Sequence, residues 1–238
     1  GELPQGYDHP FLERPASPEQ KSSLSPFSAL VLFTSDTGLC GTYNGDLEDK
    51  AKEWLLENRE KRTRFVFVGK HGANLFHLKP AEVLGTFFDL RVSRVDEMLE
   101  GLRKILEAAF LNAEVSRVNV IYTHMESLSR THPRIESILP IPRTESLAGG
   151  GVRDLIEPDP KTVLDKLLPA FFEARLRFIF YHALLTEQIA RMTAMRQATQ
   201  NAKEMIDELT LLRNKARQAA ITKEIIEVVS GSRALKLK

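Results

Sequence analysis

Short apolar runs rich in β-branched and aromatic residues recur along the first two thirds of the chain. They lie at residues 29–33 (ALVLF), 65–68 (FVFV) and 118–122 (VNVIY). Runs of this length and composition are typical of buried β-strands. The sequence therefore predicts three strands in this part of the chain.

Between the predicted strands, apolar residues change to a helical period. Leu47, Ala51, Trp54 and Leu55 share one helix face, and a longer pattern runs through 95–110, with Ser93 as its expected N-cap. Strands that alternate with helices favour parallel pairing through right-handed crossovers. We therefore expect an α/β fold, with a small Rossmann-like parallel-sheet domain.

The final part of the chain predicts one very long helix. Between Pro169 and Gly231 lie 61 residues without Gly or Pro, and Gly231 is the expected C-terminal stop. A helix of this length spans roughly 90 Å at 1.5 Å per residue. A domain of about 115 residues is only about 35 to 40 Å across, so the helix must project beyond it.

The predicted helix carries an apolar stripe that needs a partner. Small and apolar side chains recur at three-four spacing, as in a degenerate coiled-coil seam. The positions are Tyr181, Leu185, Gln188, Met192, Met195, Thr199, Ala202, Met205 or Ile206, Leu209, Leu212 and Ala216. No other segment predicts a helix of comparable length, so the partner is expected outside this chain or in other subunits.

Punctuation by Pro and Gly divides the chain into four parts. Residues 1–26 predict an extended lead-in, 27–142 the α/β domain, 143–160 a Gly- and Pro-rich linker, and 161–238 the coiled-coil helix. The chain thus combines one globular domain with one projecting element.

Composition and charge exclude several classes of protein. With 42% apolar and 27% charged residues, the chain is globular rather than disordered. A net charge of +1 gives no electrostatic reason to expect nucleic acid. A single cysteine excludes an internal disulfide, and no apolar run approaches the 18 residues that a membrane span needs.

The candidate sites for chemistry are weak. The turn at 35–41 (SDTGLCG) follows a strand and precedes a helix, where a phosphate can bind, but it fits neither the dinucleotide nor the Walker pattern. Cys40 lacks a recognisable base, so packing is the more natural role. The pairs His71 and His77, and His124 and His132, lack metal-ligand spacing and are interpreted as solvated surface histidines.

Three stretches carry a family resemblance. Residues 214–231 (NKARQAAITKEIIEVVSG) closely resemble the C-terminal helix of the γ subunit of F-type rotary ATP synthases. Residues 32–44 (LFTSDTGLCGTYN) and 191–207 (RMTAMRQATQNAKEMID) are similar to two further segments of that family. The resemblance covers about residues 8–233 and is most specific at the C-terminal end.

The resemblance implies a non-catalytic rotor subunit without a cofactor. In the family, the γ subunit is the central stalk of F1 (CF1) and couples hydrogen-ion transport through the membrane c-ring to ATP synthesis or hydrolysis. Its implied partners are the α and β subunits, the ε subunit and the c-ring, with no nucleic acid. Its implied location is peripheral, on the cytoplasmic face of a bacterial inner membrane or the matrix or stromal face of an organellar one.

The family's fold implies an antiparallel coiled coil of two helices. In that family a long N-terminal helix precedes the part that matches Gly1, and this sequence begins where that helix is expected to end. The sequence therefore resembles a γ subunit lacking its N-terminal helix. Source compartment, coupling ion and direction of turnover are not fixed by the residues.

The resemblance also implies a set of partner-binding residues. Arg217 and Gln218 map to a bond with a β-subunit loop, and Ile225, Val228 and Val229 map to a bearing-like apolar sleeve. The remaining positions are associated with coupling or stability along the same helix: Arg191, Thr222 and Glu227. Two alternatives stay open, a coiled-coil interaction protein with an α/β head and a nucleotide-binding α/β enzyme.

Overall fold

The computed structural model describes residues 7–13, 27–60, 62–76, 79–127, 130–142 and 159–236, with the side chains of 160 and 233–236 left out. The chain divides into two compact units, Gly1–Arg191 and Met192–Lys238. We refer to the first unit as the head and to the second as the distal segment.

The head alternates strands and helices as the apolar pattern predicts. The predicted strands and helices are confirmed, and two further strands, β3 and β5, join them. In chain order the elements are β1 Phe27–Phe33, α1 Tyr43–Glu57, β2 Arg62–Val68, α2 Lys70–Leu75, β3 Val83–Phe87, α3 Val95–Leu111, β4 Arg117–Ser127, β5 Arg130–Leu139 and α4 Pro160–Lys236.

The strands form one five-stranded sheet in the order β3-β2-β1-β4-β5. Strand β1 pairs in parallel with β2 and β4, and β2 pairs in parallel with β3. Strand β5 pairs antiparallel with β4, from which only two residues separate it. A connection so short cannot make the crossover that parallel pairing requires, so the sheet is mixed at this edge.

Both faces of the sheet are buried. Leu30 and Leu32 of β1 point to the face covered by α1, in a cluster that includes Trp54. Val31 and Phe33 point to the opposite face, which α3 and the first part of α4 cover. The alternation follows from the period of two along a strand, and it makes the central strands apolar on both sides.

The first part of α4 belongs to the core of the head. Phe172, Leu176, Ile179 and Phe180 are each at most 1% exposed. The ring of Phe180 meets the ring of Phe33 edge to face, with centroids 5.5 Å apart. This stretch was predicted to belong to the coiled-coil helix, and one of its faces also packs in the core of the head.

Helix α4 begins at Pro160 behind a capping aspartate. The Thr162 backbone N–H donates to Asp159 Oδ1 over 2.9 Å. The pKa of the Asp159 carboxyl is lowered, mainly by a hydrogen bond from the Thr162 side chain and to a smaller extent by the one from its backbone. The helix continues through Gly231 to Lys236, so the predicted stop at Gly231 is wrong. Glycine lowers helix propensity without forbidding a helix, and an added Cβ at Gly231 would meet nothing within 4 Å.

One predicted cap is also wrong. A 3₁₀ turn at Val92–Arg94 precedes α3, so Arg94 rather than Ser93 occupies the N-cap position, and it makes no capping hydrogen bond through its side chain. The first turn of α3 instead carries Asp96 and Glu97, whose charges favour a helix N-terminus.

Part of the predicted lead-in packs on the head. Tyr7, Phe11 and Leu12 are buried, and the Tyr7 hydroxyl donates to Asp165 Oδ1 of α4 over 2.7 Å. The backbone N–H of Ile141 donates to the Phe11 carbonyl oxygen over 2.6 Å. Residues 143–158 of the predicted linker lie outside the described residues.

Candidate partner-binding surface on the long helix

The distal segment is a helix that exposes nearly all of its side chains. From Met192 to Ser232 every side chain is exposed except that of Ala194, which is half-buried. The large apolar side chains among them are Met192, Met195, Met205, Ile206, Leu209, Leu211, Leu212, Ile221, Ile225, Ile226, Val228 and Val229. Contiguous exposed apolar surface of this kind marks a site of interaction with another protein.

The exposed apolar side chains surround the helix. Ile206, Leu211 and Leu212 lie about 100–140° apart around the helix axis, at roughly 100° per residue. A helix that is apolar on all sides is stable when it is enclosed, whereas a helix with one partner needs only one apolar stripe. The distal segment is therefore suited to a surrounding sleeve of protein.

Four of the predicted partner-binding residues lie on one side of the distal segment. Gln218, Thr222, Ile225 and Val229 fall within an arc of about 60°, because their spacings are three, four and seven residues. All four residues belong to the uninterrupted helix α4, so these angles apply to them.

The other predicted residues of the distal segment divide between two sides. Arg217 and Val228 lie next to the Gln218 arc, about 20° from each other, whereas Glu227 lies almost opposite the arc. Glu227 Oε1 lies 3.9 Å from Lys223 Nζ, and both side chains are exposed. Among the described residues no carboxylate pairs with Arg217, so its guanidinium is available to a partner.

Arg191 lies in the head, apart from the other predicted residues. Its Nη2 atom lies 2.7 Å from Glu187 Oε1 and donates to Thr37 Oγ1 over 3.0 Å and to the Thr37 carbonyl oxygen over 3.2 Å. The Arg191 side chain is 22% exposed. Its described contacts therefore lie within this chain.

The buried partners around Arg191 were missed in the sequence. Glu187 is 5% exposed, and burial raises the pKa of its carboxyl while Arg191 opposes the shift. Nearby, the buried Tyr43 hydroxyl donates to the Ala183 carbonyl oxygen over 3.3 Å, and burial raises its pKa. The spacing of four residues between Glu187 and Arg191 was the one available signal of this cluster.

The turn after β1 is closed by its own side chains. The Ser35 backbone N–H donates to Asn44 Oδ1 over 3.0 Å, and Asn44 Nδ2 donates to Ser35 Oγ over 2.7 Å. Asn44 Nδ2 also lies 3.4 Å from the Cys40 sulfur, and Cys40 is 3% exposed. A backbone N–H that a phosphate would use is therefore already occupied, which argues against a nucleotide site in this turn.

Three histidines meet between the β4–β5 pair and α4. His124 and His132 are direct cross-strand partners, and His182 stacks on His124 with ring centroids 5.2 Å apart and an interplanar angle of 1°. The Nδ1 atoms of His124 and His182 are buried without a hydrogen-bond partner. Burial, followed by the neighbouring His124, lowers the pKa of His182. The interpretation as solvated surface histidines is wrong for His124, whose Nδ1 is buried, whereas the side chain of His132 is 43% exposed.

The described ranges contain neither a cluster of metal ligands nor a helix suited to a membrane. Within them, no group of three or more His, Cys, Asp or Glu side chains is arranged to hold a metal ion. In the same residues, none of the helices combines the length and the apolar character required to cross a bilayer.

An α/β head that continues into a helix with many exposed large apolar side chains is typical of a subunit that contacts other polypeptides. Comparison with known proteins assigns the family. The profile of the family described as ATP synthase matches residues 2–235. The chain is 40% identical to the ATP synthase gamma chain of Moorella thermoacetica over 87% of this chain and 72% of that one. It is 35% identical to the gamma chain of Symbiobacterium thermophilum over 97% and 78% of the respective chains.

Solved structures share the fold. A chain of the Euglena gracilis mitochondrial ATP synthase, in a structure of its OSCP, F1 and c-ring, matches with a TM-score of 0.62 and 15% identity over 99% of this chain and 82% of that one. A chain of the Tetrahymena thermophila mitochondrial ATP synthase central stalk and c-ring matches with a TM-score of 0.53 and 19% identity over 75% and 81%.

This chain belongs to the ATP synthase gamma-chain family, and it is a non-catalytic subunit. The resemblance stated from the sequence is confirmed, and so is the predicted α/β fold with its long C-terminal helix. Neither alternative class, a coiled-coil protein unrelated to rotation or a nucleotide-binding enzyme, is needed to account for the chain.

Proposed function

We propose that the chain is the rotor of an ATP synthase, with its distal segment enclosed by a hexamer of α and β subunits. Its head would contact the ε subunit and the c-ring. The observation that carries this proposal is the exposure of apolar side chains on every side of the distal segment, in a chain of the gamma-chain family. Exposed apolar side chains on every side of a helix fit a surrounding ring of subunits better than a single partner.

The proposed rotor performs no bond chemistry. Each catalytic subunit can adopt several conformations. These conformations bind a given side of the shaft with different free energies, and this difference is what the rotor uses. The angle of the shaft therefore shifts the populations of open and closed catalytic sites. By the same linkage, a change of site occupancy during ATP hydrolysis drives the shaft to a new angle.

The two kinds of contact on the distal segment would have different roles. Ile225, Val228 and Val229 cover an arc of about 100° with exposed aliphatic side chains, on which contact energy changes little with angle. Arg217 and Gln218 carry directional donors on the same side, so their hydrogen bonds to a β-subunit loop would form only at certain angles. Thr222 lies within the Gln218 arc, and Glu227 would act from the opposite side through its pair with Lys223.

The head of the rotor would lie at the cytoplasmic face of a bacterial inner membrane. The relatives that are 40% and 35% identical are chains of Moorella thermoacetica and Symbiobacterium thermophilum, which supports a bacterial location over an organellar one. Contact with the membrane would be made through the c-ring.

Replacing Arg217 tests the proposed hydrogen bonds between the distal segment and a β-subunit loop. A hydrogen bond to a charged group contributes about 1.5–3 kcal/mol, so losing one that forms at a single rotor angle should lower coupled ATP synthesis about tenfold or more. The measurement is the ATP synthesis rate in vesicles reconstituted with the complete complex containing Arg217→Ala.

Arg213→Ala is the matched control, because Arg213 is exposed and lies four residues earlier on the same helix. Complexes with either variant should contain normal amounts of the chain. A synthesis rate for Arg217→Ala equal to that for Arg213→Ala would reject the role of Arg217.

A further inference from the structure

Polar contacts hold α4 at the point where it leaves the head. Arg191 Nη2 contacts both oxygens of Thr37, in the turn after β1, while it pairs with Glu187 one helical turn earlier. We refer to Glu187, Arg191 and Thr37 as the exit contact. All three residues lie in the head unit.

One further hydrogen bond lies one helical turn before the exit contact. The Tyr43 hydroxyl of α1 donates to the Ala183 carbonyl oxygen over 3.3 Å. The Thr186 hydroxyl lies 3.4 Å from the Thr123 carbonyl oxygen of β4, but the His182 carbonyl oxygen of α4 itself is a closer acceptor at 2.8 Å. Residues 183–191 are therefore hydrogen-bonded to two separate parts of the head, α1 and the turn after β1.

Apolar packing precedes the exit contact on α4, together with two more exposed ion pairs, Arg175 with Glu136 of β5 and Arg177 with Asp96 of α3. Phe172, Leu176 and Ile179 bury apolar surface, which resists separation of α4 from the sheet but depends weakly on small rotations of the helix. Hydrogen bonds weaken steeply when their angles change, so the exit contact resists rotation of α4 about its own axis.

Glu187 is the orienting member of the exit contact. Its side chain is 7% exposed, and it accepts from the same guanidinium nitrogen that reaches Thr37. The cost of burying this carboxylate exceeds what Arg191 returns, since the pKa of Glu187 is raised despite the pair. The pair with Glu187 leaves Arg191 Nη2 within hydrogen-bond distance of both Thr37 oxygens, which is the geometry that the proposal uses.

We propose that the exit contact is the torque anchor of the rotor, with Glu187 as a positioning residue that holds Arg191 on Thr37. It fixes the rotational angle of α4 on the head, so a turn of the helix becomes a turn of the head. The inference rests on the proposed rotor function. It assigns to Arg191 an intramolecular role in addition to the partner contact that the family resemblance implies.

The experiment uses the complete ATP synthase with the full chain. A marker is attached through Leu56→Cys, because Leu56 is 56% exposed on α1 of the head while Cys40 is buried. With the catalytic hexamer fixed to a surface, the spread of the marker's angle at rest gives the torsional stiffness of the rotor. ATP hydrolysis and the number of protons pumped per ATP are measured on the same preparations.

Two variants weaken the exit contact and one is the matched control. Glu187→Ala removes the carboxylate, and Thr37→Val removes only the hydroxyl acceptor. Glu173→Ala is the control, because Glu173 also forms a four-residue pair on α4, with Arg177, but its side chain is 49% exposed. We expect Glu187→Ala to increase the angular variance at least twofold, Thr37→Val to increase it less, and Glu173→Ala to leave it unchanged.

Protons pumped per ATP should fall in the same order, with ATP hydrolysis unaffected. Glu187→Gln, which keeps an acceptor for Arg191, should restore most of the stiffness. A purely structural role would lower assembly or thermal stability without changing the angular variance of assembled complexes. Equal angular variance of the marker in Glu187→Ala and Glu173→Ala complexes would overturn the proposed anchor. If Glu187→Ala does not assemble, an angular variance in Thr37→Val complexes equal to that of the wild type would overturn it. A wild-type chain whose head does not rotate would refute the rotor function instead.

Discussion

Phe180 is the residue at which the double role of α4 can be measured. It is completely buried in the head, where its ring packs edge to face on Phe33 of β1. We expect Phe180→Ala to unfold the head at a much lower denaturant concentration, because the substitution leaves a cavity between α4 and the sheet.

The magnitude follows from the burial and the ring contact. Truncating a fully buried Phe to Ala costs about 3–5 kcal/mol, and an edge-to-face pair contributes about 0.5–1.5 kcal/mol of this beyond burial. That is a large part of the roughly 5–15 kcal/mol that stabilises a typical domain. At a urea dependence of about 2 kcal/mol per molar, a loss of about 4 kcal/mol lowers the midpoint by about 2 M.

Trp54 provides the signal for this measurement. It is the single tryptophan of the chain and lies in the core on the opposite face of the sheet, so its fluorescence reports unfolding of the head. The assay is urea denaturation of the full chain, with the midpoint and slope of the transition compared between variants.

Leu209→Ala is the matched control from the distal segment. Leu209 is 57% exposed, so its truncation should change the unfolding free energy by about 0.5 kcal/mol or less. Similar midpoint shifts for Phe180→Ala and Leu209→Ala would refute the division of α4 into a head-packed part and an exposed part.

Two further predictions concern the backbone after β2 and the stacked histidines. Gly69→Ala should destabilise the head strongly, since Gly69 has φ 101° and an added Cβ would lie 2.0 Å from the Thr34 carbonyl oxygen, whereas Gly38→Ala, with nothing within 4 Å, should have little effect in the same urea assay. The lowered pKa of His182 means that the unfolded chain binds this proton more tightly than the folded chain. Stability is therefore unaffected by His182 above about pH 6.5 and falls below it, and His182→Gln should reduce the drop in urea midpoint between about pH 7.5 and pH 5.5. An equal drop in wild type and variant would show that His182 does not titrate in this range.

The local apolar pattern was sufficient to predict the buried strands and the helix with one buried face. The runs at β1, β2 and β4 are apolar because both faces of these strands are covered, and the period of α3 reflects its one buried face. Strand β5 was missed because it lies at the sheet edge, where Pro133 and charged residues interrupt the apolar pattern. Strand β3 was missed because it is short, half-exposed and interrupted by Gly85.

Long-range contacts account for what the sequence did not predict. The burial of Phe180 depends on contact with Phe33 of β1, which lies more than a hundred residues earlier in the chain. The stacking of His124 on His182 and the contact of Arg191 with Thr37 have the same origin. The family resemblance predicted the identity of the chain correctly, whereas the roles of Arg217, Gln218 and their neighbours stay predictions.

Rotation of the head relative to the catalytic hexamer tests the central claim most directly. The full chain carries a marker at Leu56→Cys, the α and β subunits are fixed to a surface, and the angle of the marker is followed as ATP is added. The rotor function predicts sustained rotation in one direction that stops when ATP is withdrawn. ATP hydrolysis by the hexamer while the bound head keeps a fixed angle would contradict it.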